Sequence, residues 1–260
     1  MFKIFKYSFY DLMRSRWSYV YFLFYFVLGF ALLFLNNDVS KTIITLMNII
    51  IVLTPLIGTI FGIMYLYDSK EFIELLLAQP LKRTTIFLGQ YLGVAVSLSL
   101  SLILGLGIPF LIYGLLQSEA IFNFLLLLIS GTFLTFIFVA LSYIIGLKNE
   151  NKIKGFGFAI LLWLFLAVVY DGIFLILMIV FNEYPLDKFA LIGILMNPID
   201  LSRTLIILKL DISALLGYTG AVFQQFFGNT LGIFIAILVL LFWIIMPVWR
   251  IISVSQRKDF

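Results

Sequence analysis

A chain of 260 residues that is 63% apolar and 12% charged, with a mean hydropathy of +1.17, does not have the composition of a water-soluble globule. It holds no Cys and no His, which excludes disulfides, zinc and haem sites built on those ligands, and Cys- or His-based nucleophilic catalysis. The net charge of +4 is scattered rather than gathered into a patch, and no P-loop of the GxxxxGK type occurs, so neither nucleic-acid binding nor nucleotide binding by this chain is expected.

Uncharged apolar runs of about eighteen residues or more recur along the length, each able to cross a hydrocarbon layer about 30 Å thick. The runs are continuous rather than alternating, and backbone groups in lipid need internal partners, so the spans are expected to be helices. Residues 1–16, MFKIFKYSFYDLMRSR, set Phe2, Phe5, Phe9, Leu12 and Met13 on one side, with Lys3, Lys6, Arg14 and Arg16 supplying charge. This predicts an interfacial helix lying on the membrane. A cleaved signal peptide is not expected, because polar and aromatic residues precede the hydrophobic run and no small-residue cleavage site follows. A first span over 17–35 and a second over 43–67 flank the turn NNDVSK. Within the second, Gly58 and Gly62 lie four apart, a spacing that permits close helix packing.

Residues 68–85, DSKEFIELLLAQPLKRTT, break the apolar pattern with Asp68, Lys70, Glu71, Glu74, Lys82 and Arg83. Phe72, Leu75, Leu76 and Gln79 recur at helical spacing, the two glutamates stand near the start and Pro80 is a stop signal. The pattern predicts a short amphipathic surface helix over 70–79. A third span over 86–116 contains Pro109 among Gly105, Gly107 and Gly114, which predicts a kink or break near its far end. A fourth span covers 121–147, KNENKIK (148–154) is a charged turn, and a fifth span covers 155–180. Residues 181–228 carry Glu183, Asp187, Lys188, Asp200, Arg203, Lys209 and Asp211 among short apolar pieces. The uncharged run 212–249 is too long for one crossing and short for two. Its first part is expected to be a re-entrant or surface helix, and 230–249 the sixth span.

With six spans and the N-terminus inside, the inside segments hold Lys3, Lys6, Arg14, Arg16, Lys70, Lys82, Arg83, Lys148, Lys152, Lys154, Arg250, Arg257 and Lys258, that is 13 of the 17 basic residues. That asymmetry obeys the positive-inside rule, and a seventh span over 212–228 would move Arg250, Arg257 and Lys258 to the other side. The expectation is one transmembrane domain over 1–260, with both termini cytoplasmic.

Three places invite a functional reading. The helix at 70–79 offers a soluble partner Glu71 and Glu74 for basic groups and Leu75–Leu77 for a groove, unless those leucines simply rest on lipid. Asp171 is the one charge inside a predicted span; a gate, proton or cation contact competes with pairing to a neighbouring helix or to the long outer loop. NPIDLSR, with Asn197, Pro198, Asp200 and Arg203, reads as an outer docking or exit-gate site, or as a capped helix start with an Asp-to-Arg pair. The methionines 1, 13, 47, 64, 178, 196 and 246 form no cluster in sequence, so no metal site is assigned to them.

The arrangement resembles the permease subunits of ABC type-2 exporters (the type V fold). The text EFIELLLAQPLKRTTIFLGQYLG (71–93) is similar to that family's pattern at Glu71 or Glu74, Leu75–Leu77, Pro80, Arg83, Ile86 and Gly89. The stretches LWLFLAVVYDGIFL (162–175) and LMNPIDLSRTLIILKLDISALLGYTGAVF (195–223) look most like the branch that serves nitrous oxide reductase maturation, and place Asp171, Asn197, Pro198, Asp200 and Arg203 on family-typical positions. The resemblance implies a bacterial inner-membrane subunit without catalysis or cofactor of its own. It implies a coupling helix between spans two and three and re-entrant helices before span six. The partners it implies are a cytoplasmic ATPase carrying ATP and Mg²⁺, a second permease copy in a homodimer, a periplasmic accessory protein and a copper chaperone. Copper or sulfur delivery is the implied role. Rival readings are the permease of another ABC type-2 exporter, an ion-coupled secondary carrier using Asp171, and a membrane-embedded enzyme, which would need paired catalytic groups at depth.

Overall fold

A computed structural model describes residues 1–36, 38–118, 120–181, 187–209 and 230–257. Among them the chain forms α1 (Phe2–Met13), α2 (Arg16–Asn36), α3 (Val39–Asp68), α4 (Lys70–Leu77), α5 (Arg83–Ile112), α6 (Ile121–Lys148), α7 (Lys152–Leu164), α8 (Tyr170–Val180), α9 (Asp187–Leu195), α10 (Pro198–Lys209) and α11 (Thr230–Arg257). A π turn at Phe165–Val169 joins α7 to α8 without a break, and a 3-10 turn at Leu115–Gln117 precedes α6. Among the described residues six helical segments are long and apolar enough to cross a membrane, α2, α3, α5, α6, the continuous α7–α8 segment and α11, and the bent pair α9–α10 would be a seventh if it crossed as one span. The protein is an all-α integral membrane protein. The run 212–228, expected as a re-entrant or surface helix, lies outside the described residues.

Helices α3, α5 and α6 form the centre, and the fifth span is the least buried of the six. The two glycines of α3 do what their spacing suggests. A Cβ on Gly58 would meet the Thr135 carbonyl of α6 at 3.5 Å, and one on Gly62 would collide with Ser142 and lie 3.3 Å from the Val139 Cα. Pro55 sits inside α3 and deprives that helix of a backbone donor. One turn earlier the Val52 carbonyl accepts a hydrogen bond from Trp163 Nε1 of α7 at 3.2 Å, so the fifth span is pinned to the point where α3 is weakest. Next to Pro55, Thr54 and Tyr25 of α2 share a buried hydroxyl–hydroxyl bond of 2.9 Å.

Helix α1 packs along the start of α5 through a face other than its aromatic one. Ile4, Ser8 and Leu12 are buried, Phe2 is 75% exposed, and Phe5 and Phe9 are only half-buried. The reason lies in α5. Gly89 and Gly93 form a shallow trough, in which a Cβ on Gly93 would stand 2.6 Å from Ser8 Cβ and 3.0 Å from the Phe9 nitrogen. Small residues meet there, and the bulky rings are pushed to the sides. Helix α5 runs unbroken through Pro109, so the expected break comes later, where Gly114 adopts a left-handed φ of 92°.

Candidate functional site

The surface helix α4 forms where the charge pattern places it, ending at Leu77 rather than Gln79. Eight residues have little helical stability of their own, so tertiary contacts must hold the element. Ile73 is the anchor, 3% exposed, and Phe72 stacks on Tyr7 of α1 with ring centroids 4.5 Å apart. At the α3–α4 corner Ser69 donates to the Tyr65 carbonyl at 2.7 Å and accepts from Gln90 of α5 at 3.2 Å. Tyr67 donates to the Asn149 carbonyl at 2.8 Å, and Asp68 pairs with Lys152 at 2.7 Å, which fastens the corner to the turn between α6 and α7. Helix α4 thus touches α1 itself, and the residues 67–69 that lead into it are bonded to α5 and to the α6–α7 turn.

Of the predicted contact residues, Glu71, Glu74, Leu75 and Pro80 point to solvent, with Leu75 69% exposed. Leu76 is half-buried, Leu77 packs against the core, and Arg83 heads α5 half-buried. The Lys70–Glu74 pair, 3.9 Å apart and exposed, contributes at most about 1 kcal/mol. Beside α4 a cavity of about 270 Å³ is lined by Tyr67, Lys70, Ile73, Glu74 and Glu150 among others.

A second site forms at the corner between α9 and α10, whose axes meet at 110°. Asn197 precedes α10 and Pro198 opens it, a residue type suited to the first helical position. The Asn197 Oδ1 accepts from the Ile199 N–H at 3.1 Å, so Asn197, not Asp200, is the cap. Asn197 Nδ2 donates to Asp200 at 2.8 Å and to the Leu166 carbonyl at 2.8 Å. Leu166 belongs to the π turn, where widened backbone pairing leaves carbonyls open to outside donors. At about 1.5 Å rise per residue, Leu166 lies about 20 Å from the start of α7, so the corner reaches the middle of the fifth span.

Asp171 follows the π turn and does not stand alone. Arg203 Nη1 meets Asp171 Oδ2 at 2.8 Å and Asp200 Oδ1 at 3.3 Å, so one guanidinium bridges two carboxylates. Asp200 is the more buried of the two carboxylates, with Asn197 and Arg203 both donating to it. Around this core Tyr170 donates to the Gly193 carbonyl at 2.6 Å, Trp243 of α11 donates to the Leu195 carbonyl at 3.1 Å, and Phe174 stacks on Phe189. The intramembrane candidate and the outer-loop candidates are therefore one constellation. Among the described residues no three acidic side chains converge as metal ligands.

No family model matches the chain. Over 213 residues it is 27% identical to the probable ABC transporter permease protein NosY of Stutzerimonas stutzeri, covering 74% of this chain and 76% of that protein. Over 185 residues it is 26% identical to the probable ABC transporter permease protein NosY of Pseudomonas aeruginosa, covering 68% and 67%. The chain is a NosY-like relative of the ABC transporter permeases. In this ABC permease relative, sequence reasoning overlooked the Ile73 anchor, the Tyr7–Phe72 stack, the Leu166 carbonyl and the Trp243 bond. The first carried a signal, an apolar residue two places after Glu71. The π turn carried none, because LFLAVV reads as ordinary helix.

Proposed function

We propose that this chain is the membrane subunit of an ABC transporter, driven by a separate cytoplasmic ATPase that holds ATP and Mg²⁺, and that α4 is its coupling helix. The likeness to two ABC permeases carries the reading, and the exposed Glu71, Glu74 and Leu75 on a helix tied to three other elements support it. The ATPase would bind the two states of the permease with different affinity and so shift their populations. The permease itself performs no bond chemistry. It works as a homodimer in the bacterial inner membrane with both termini cytoplasmic, and meets a periplasmic accessory protein and a copper chaperone on the far face. Its role is delivery of copper or sulfur, or transmission of force, for nitrous oxide reductase maturation. At that far face the Asp171–Arg203–Asp200–Asn197 constellation acts as the movable gate, since it joins the re-entrant corner to the middle of the fifth span.

Purification from native membranes in mild detergent tests the reading. A P-loop ATPase is expected to co-purify with the wild-type chain and to be released, or uncoupled, by Glu74→Arg. Absence of any ATPase under conditions that preserve other membrane complexes would overturn it.

A further inference from the structure

Where α1 crosses the α3–α4 corner, a pocket of about 350 Å³ is lined by Tyr7, Asp11, Ser15, Trp17, Tyr65 and Phe72 among others. A groove of about 560 Å³ adjoins it, with Lys3, Lys6 and Arg14 on its walls, and Tyr7 and Asp11 line both. We propose that this double site holds the headgroup of a phosphatidylethanolamine molecule, its ammonium in the pocket and its phosphate on the basic groove. The proposal rests on α1 lying at the membrane surface and is independent of any ATPase.

Three observations carry it. Tyr65 is 8% exposed, and its hydroxyl faces Ser8 and Asp11 without closing a hydrogen bond to either, which leaves a buried polar atom short of a partner. Asp68 is occupied by Lys152, whereas Asp11, beside the Tyr65 hydroxyl, enters no ion pair among the described residues. The stacked Tyr7–Phe72 rings and Trp17, which is 60% exposed, supply the aromatic faces that attract a cation. A primary ammonium has three N–H donors, and Asp11 and Tyr65 supply acceptors that a quaternary choline would leave unused. Phosphatidylglycerol offers no cation for the pocket. The lipid source follows from position, because Phe2, Tyr10 and Trp17 are exposed beside Lys3 and Lys6 as on an interfacial helix.

Native mass spectrometry of the whole purified chain, in micelles supplied with equal amounts of phosphatidylethanolamine, phosphatidylcholine and phosphatidylglycerol, tests this. Phosphatidylethanolamine is expected to be retained over each of the others by about fivefold. Asp11→Asn, a change at an exposed position, is expected to abolish that preference, and Tyr65→Phe to reduce it with the packing kept. Lys6→Gln is expected to weaken all three lipids, which share the phosphate. Equal retention by the wild type, higher retention of phosphatidylcholine, or a preference that survives Asp11→Asn would each overturn the proposal.

Discussion

Asn197 makes three side-chain hydrogen bonds at the α9–α10 corner. Its amide closes the start of α10, holds Asp200 and reaches across to the Leu166 carbonyl, all from a fully buried position. Asn197→Ala removes the cap and leaves the Leu166 carbonyl and Asp200 each short of a donor. A loss of about 2–3 kcal/mol is expected, read as a lowered melting temperature in detergent. Arg203 is less than one-third exposed and holds two carboxylates. Arg203→Ala therefore leaves like charges facing each other and is expected to lower stability by about 1.5–3 kcal/mol. Asp171→Asn in the same background should recover part of that loss, because it removes one of the facing charges. Equal melting temperatures for the single and double variants would argue against the bridge.

At the scale of elements, the attachment of α1 to α5 depends on the trough at Gly89 and Gly93. Backbone atoms of α1 lie within 3.2 Å of a Cβ on Gly93, so no side-chain rotation relieves the clash. Gly93→Val is expected to lift α1 from α5, with a loss of about 1–3 kcal/mol and faster proteolysis ahead of Trp17. Helix α4 behaves differently, because its distinctive side chains face away from the bundle. Glu74→Arg removes only an exposed pair, so its stability should match the wild type within about 1 kcal/mol while any ATPase partner is lost. A matching loss of fold would show that Glu74 serves the bundle instead.

For the whole molecule, the central question is which ends of the helices face which side of the membrane. The α3–α4 corner and the α6–α7 turn share one end through the Tyr67 and Asp68 contacts. The chain has no cysteine, so single cysteines report cleanly. Glu74→Cys and Glu150→Cys are expected to react with a membrane-impermeant maleimide from the cytoplasmic side only, and Asp38→Cys and Ser118→Cys from the opposite side only. Reaction of all four from one side would contradict six crossings with this orientation.

Hydropathy located the six spans, with ends off by up to eight residues where the last runs on to Arg257, and charge placement marked α4, because transfer of apolar and charged groups into lipid is a local property that every segment carries by itself. The Gly58–Gly62 pair was legible for the same reason, since close approach needs absent side chains. The face α1 turns inward was decided by two glycines on another helix. The partnership of Asp171 with Arg203 was decided by a π turn and a 110° corner, 32 residues apart in the chain. Such contacts depend on how segments approach one another, and no window of residues contains that information.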